Sequence, residues 1–190
     1  MKMKTWLLWI GISLIGTICL VPMIHKPSRV LMPQLFGLSC PTDHICLDDL
    51  DRLDEARRLT NDAMEYVADT LVPFEKRPRV LFCSTQECFR QFGNPAIAAQ
   101  NVTTVGIVIN ELGWSDYILR HEMIHHVQNE VFGAANASYL LPRWFIEGMA
   151  YTLSEDPRRP LPRTDIEGYR TEYEAWIAEG RTWRDVPKGL

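Results

Sequence analysis

This chain of 190 residues has no basic stripe, no internal repeat and no low-complexity segment. With 20 basic against 24 acidic side chains and a formal net charge of −4, it lacks the electrostatic footprint of nucleic-acid binding, and no nucleic acid is expected as a partner. Charge is missing altogether from Thr5 to Ile24. With no polar face, that stretch does not read as a core helix. It is long enough to cross a bilayer. Its end, Gly16-Thr17-Ile18-Cys19-Leu20-Val21-Pro22, has no small-x-small cleavage site, and bulky Ile18 argues against a lipoprotein cysteine at Cys19. Residues 1–25 are therefore read as a signal anchor, a transmembrane helix. Lys2 and Lys4 are expected on the cytoplasmic side, with the following domain extracytoplasmic, periplasmic or extracellular. Cleavage after the run would give a secreted soluble form. The acidic balance keeps that domain off an anionic lipid surface, so membrane contact is assigned to the N-terminal helix.

Cys-x-x-Cys is absent among the five cysteines, which argues against a thiolate metal site. Beyond Cys19 the other four form two close pairs, Cys40 with Cys46 and Cys83 with Cys88. Four cysteines allow three connectivities, and local pairing is the simplest. An exported domain would oxidise them.

The most informative residues present are His121-Glu122-Met123-Ile124-His125. On a helix the two histidines share one face, so both imidazoles can grip one metal ion. Glu122 lies close enough to act on a metal-bound water. Downstream, Trp144-Phe145-Ile146-Glu147-Gly148 supplies a carboxylate on a second predicted helix. A glutamate buried among aromatics is costly unless its charge is compensated, and a divalent cation does that. The expectation is one Zn2+ per chain on His121, His125 and Glu147, with a fourth position open. His126 points about 100° away from His125 and is read as a bystander.

HEMIH with RWFIEGMA resembles the gluzincin metallopeptidases, the peptidase MA-like HExxH…E group, over about residues 102 to 153. The resemblance implies a zinc-dependent peptidase with His121, His125 and Glu147 as ligands and Glu122 as general base. It implies peptides or unfolded proteins as substrates. In that group a strand before the metal helix borders the cleft, and substrate pairs with its free edge. Val102 to Asn110 is the candidate here. The metzincin pattern fails, because Gln128 and Val131 stand where Gly and His are needed. One departure is Tyr151, which stands where relatives carry an acid that steadies the first histidine. A phenol can accept an imidazole N–H in its place. Tyr151, Tyr169 and Tyr173 are the candidates for stabilising an oxyanion.

Elsewhere, residues 26–47, with Pro27, Pro33 and Pro41, read as an extended tether. From Asp48 to about Leu71 apolar residues recur at three- and four-residue steps, giving a helix that Pro73 stops. Arg79–Cys83 reads as a strand, followed by a short helix capped by Ser84 with Glu87 completing a capping box. The metal helix should start after Ser115 and end near Gly133. Pro142 should open the next helix, and a final helix is expected around Ile166 to Glu179. Asn101-Val102-Thr103 and Asn136-Ala137-Ser138 match the glycosylation pattern.

The fold expected is α+β: a small mixed sheet with an edge strand beside the cleft, packed on the HExxH helix and a second Glu-bearing helix. Residues 48–190 form the compact domain. The chain ends soon after Glu147, which suggests an open groove and internal cleavage of extended chains. The rival reading is an anchored binding module with little or no catalysis, which would leave Glu122 without a task. An intramembrane protease is excluded by Asp116, Arg120, Glu122 and Glu130 on the metal helix.

Overall fold

The sheet is built from short apolar runs that need cover on both faces. The computed structural model describes residues 25–187. The uncharged run and its proposed span lie outside that range. Among the described residues no helix is long and apolar enough to cross a membrane. Five strands, β1 (Ser39–Thr42), β2 (Ile45–Leu47), β3 (Arg79–Phe82), β4 (Ala99–Val102) and β5 (Gly106–Ile109), pair in the order β1-β2-β3-β5-β4. The central pairs β2–β3 and β3–β5 are parallel, and the outer pairs β1–β2 and β4–β5 are antiparallel. The protein is thus α+β with a mixed sheet.

Side chains alternate across this sheet with period two. Ile45, Leu47, Val80, Phe82, Ile107 and Ile109 face one core, and Cys46, Leu81 and Val108 face a second. The first core is closed by the amphipathic α1 (Leu53–Thr70), which buries Ala56, Leu59, Thr60, Ala63 and Val67. Also on this side are α3 (Asp116–Phe132) and α4 (Arg143–Leu153). The second core is covered by Val30, Leu38, Phe89 and Phe92.

That cover corrects the tether reading of 26–47. The segment folds into two 3-10 turns, Lys26–Leu31 and Pro33–Phe36, and the β1–β2 hairpin. Pro27 and Pro33 start the two turns, and Pro41 lies in β1. Val30 is fully buried, and β2 is an integral parallel strand. The disulfides Cys40–Cys46 and Cys83–Cys88 are both formed. The first joins β1 to β2, and the second ties the end of β3 to the short α2 (Gln86–Arg90). Thr85, rather than Ser84, caps α2, accepting from the Cys88 amide. The Ser84 amide is held instead by Asp48.

The stretch Val102 to Asn110 is not one strand: Val102 ends β4, a turn follows, and Gly106–Ile109 is β5. Its apolar half, β5, is paired on both sides, so it has no free edge. The edge belongs to β4, whose Ala-Gln-Asn-Val sequence carries no strand pattern. α4 and the final helix α5 (Thr164–Ala178) pack closely at Gly148. A Cβ there would lie 2.2 Å from the Tyr169 carbonyl oxygen and 2.7 Å from the Tyr173 Cβ. Only glycine permits that approach.

Candidate metal centre

α3 is buried on most of its circumference, and several of its buried residues are polar: Glu122, His126 and Gln128. Each therefore needs a partner or a task. The helix starts after Ser115 and ends at Gly133, whose φ of +83° breaks the helical path. A turn through Asn136–Leu140 then leads to Pro142, which opens α4.

These two helices bring His121, His125 and Glu147 together, as their spacing predicts. The Nε2 atoms of His121 and His125 are 3.0 Å apart. Glu147 Oε2 lies 3.8 Å from the first and 3.6 Å from the second. All three offer ligand atoms to one point, so the group can hold a metal ion. A tetrahedral ion with bonds of about 2.0–2.2 Å sets its ligand atoms about 3.4 Å apart, and the observed separations bracket that value. The donor set fits a cation. A second cluster of potential ligands among the described residues, Asp48 with Cys83 and Cys88, does not, because both sulfurs are in a disulfide.

The electrostatics follow from burial. Burial pushes His121 down to about 3; neighbouring His125 adds to the fall and Glu147 opposes it. Burial acts on His125 in the same sense. There it is outweighed by the contact with Glu147 and that residue's charge, so the imidazole stands at about 9. For Glu147 the upward push of burial loses to His125, then His121 and Arg143, leaving the carboxyl at about 2. Without a cation His125 is thus the most basic of the three residues, and Glu147 the most acidic. Burial raises Glu122 to about 7, against the pull of His125.

Contacts around the centre hold it in place. Gln128 Oε1 lies 2.7 Å from His125 Nδ1, and its Nε2 donates to the Ile146 carbonyl at 2.9 Å. Arg143 donates to Glu147 Oε1 at 3.1 Å, leaving Oε2 toward the histidines. The phenol predicted to accept from His121 meets it differently. The Tyr151 and His121 rings pack edge to face, with centroids 4.3 Å apart. Of the three tyrosines considered, Tyr151 lines the cavity, whereas Tyr173 is core.

His126 is no ligand, as expected, but it has a structural task. Its Nε2 meets the Lys76 carbonyl and Glu130 at 3.0 and 3.2 Å. Glu130 in turn accepts from the Glu75 and Lys76 amides, strapping that loop to the back of α3. Glu155, the other spare carboxylate nearby in sequence, pairs with Arg120 at 2.7 Å.

The centre sits in a cavity of about 770 Å³ that is also lined by β4, Asp156 and Arg158. β4 is pinned to the metal helix through Asn101, which donates to the Glu122 carbonyl and accepts from Asn129. This occupies the amide of the first glycosylation match. Sequence reasoning missed Gln128, Arg143, Asn101 and Asn129. For Arg143, which precedes Glu147 by one helical turn, and Gln128, three residues after His125, helical spacing was an available signal. For the Asn101–Asn129 contact no local signal exists. Comparison with family models, with curated proteins and with solved structures finds no match for the chain.

Proposed function

We propose that this chain is a zinc-dependent peptidase of gluzincin type, a membrane-anchored endopeptidase acting outside the cytoplasm on extended or unfolded polypeptide. One observation carries the reading. Two histidines and a glutamate from separate helices converge in a cavity where a second carboxylate, the buried Glu122, stands outside the ligand group. His121, His125 and Glu147 would hold the ion. Zinc, when bound, supplies Lewis acidity toward water and the scissile carbonyl.

The chain's own residues do the rest. Glu122, held near 7 by burial, is poised to take a proton from the attacking water and return it to the leaving amine. The edge strand β4 offers its outer N–H and C=O groups to an extended peptide, which holds substrate by its backbone. Tyr151 lines the same cavity, and burial holds its phenol protonated, so it can donate a hydrogen bond.

The test is zinc stoichiometry together with hydrolysis of an unfolded protein by the full chain, with and without chelator. The expected result is one zinc per chain and activity that chelation abolishes and zinc restores. Tight zinc binding without hydrolysis of any unfolded substrate would point to the binding-module reading instead.

A further inference from the structure

Gln128 is almost fully buried, and both ends of its amide are used. The Ile146 carbonyl can only accept, so the Gln128 nitrogen must face it, as the 2.9 Å contact has it. The amide oxygen is then fixed toward His125 Nδ1, 2.7 Å away. An oxygen acceptor there requires Nδ1 to carry the hydrogen. The other nitrogen, Nε2, is then the one that can turn a lone pair on the point shared with His121 and Glu147 when a cation displaces its proton. The contact on the far side matters equally. Ile146 directly precedes Glu147. One side chain therefore touches a ligand of α3 and the backbone that carries the ligand of α4.

We infer that Gln128 is a positioning residue that selects the metal-binding tautomer of His125, its bond to the Ile146 carbonyl fixing which way its amide faces. The inference rests on the metal-centre reading, but it concerns binding rather than catalysis. A backbone carbonyl or carboxylate usually orients a ligating imidazole, and losing such a partner weakens metal binding about 10–100-fold. Here a glutamine takes that task.

Two substitutions separate positioning from plain packing. Gln128→Met fills the space but removes the acceptor for Nδ1 and the donor to Ile146. Gln128→Glu keeps an acceptor for Nδ1, loses the donor and adds a negative charge. Both should lower the melting temperature of the metal-free full chain. Zinc affinity, measured by chelator competition, should fall about 10–100-fold in Q128M and stay within a few-fold of the parent in Q128E. The cobalt-loaded Q128M should also show an altered visible absorption spectrum.

A purely structural role predicts that affinity follows stability in both variants alike; that outcome, or unchanged affinity in Q128M, overturns the inference. His125→Ala controls the underlying reading. If it binds zinc as the parent does, the metal centre itself is misassigned. Should Q128M fail to fold, nitrogen NMR of the His125 ring in the zinc-loaded parent chain still decides. The expected state has Nδ1 protonated and Nε2 bound. A ring bound through Nδ1 overturns the proposal.

Discussion

At the scale of single residues, the site separates holding from reacting. Buried Glu122 and half-buried Glu147 are carboxylates in one cavity, yet their surroundings drive them apart. Glu147, beside His125, His121 and Arg143, lies at about 2, and Glu122, more isolated, at about 7. Glu147→Ala should therefore empty the centre, measured as lost zinc in equilibrium dialysis; full occupancy would mean a different third ligand. Glu122→Gln should keep zinc and lose at least about 100-fold in turnover, because an amide cannot take the proton. Near-normal turnover would remove Glu122 from the mechanism. The pH dependence of binding has a definite sign. In the metal-free protein His125 carries a proton up to pH of about 9, and the ion must displace it. Between pH 7 and 9 zinc affinity should rise about tenfold per pH unit and flatten above that window. Competition titrations at several pH values check this; a flat profile would show that no ligand proton is released.

At the scale of elements, the two ligand-bearing helices were legible because their signals are local. Four-residue spacing in His121–His125, the glycine at position 133 and Pro142 each act within one turn of backbone. The edge strand was not legible, because Ala99–Val102 is a strand only through its pairing with β5 and its contact with α3. The N-terminal segment misled for a related reason. Prolines mark breaks in regular structure, but they say nothing of whether the turns between them cover a core. Gly148 links elements to site, since α5 backbone presses on α4 immediately after Glu147. Gly148→Ala forces a Cβ against a carbonyl oxygen, and the helices must part. The expected cost is about 3 kcal/mol, at the upper end for overpacking, together with weaker zinc binding. Chemical denaturation with and without zinc measures both. Unchanged stability would show that α5 yields more readily than its packing indicates.

At the scale of the whole molecule, the disulfides bear on where the domain works. Both staple the same core, which lies on the face of the sheet away from the metal helix. Each closes a short loop and should contribute about 2 kcal/mol, so reduction should lower stability by about 4 kcal/mol without touching the metal ligands. Such bonds persist in oxidising compartments and are rare in the cytosol. The uncharged run from Thr5 to Ile24, preceded by Lys2 and Lys4, predicts the same side of a membrane for this domain. His25, Lys26 and Arg29 just after the run reduce that charge asymmetry, so the two signals are best tested together. Spheroplasts carrying the full chain, with the extracytoplasmic face open, would be treated with protease from that side, and thiols labelled before and after reduction. The expected result is digestion of the domain, with Cys40, Cys46, Cys83 and Cys88 blocked until reduced. A protected domain with all four thiols reactive at once would place it in the cytoplasm. A released fragment that starts beyond the uncharged run would leave the compartment as argued and remove only the anchor.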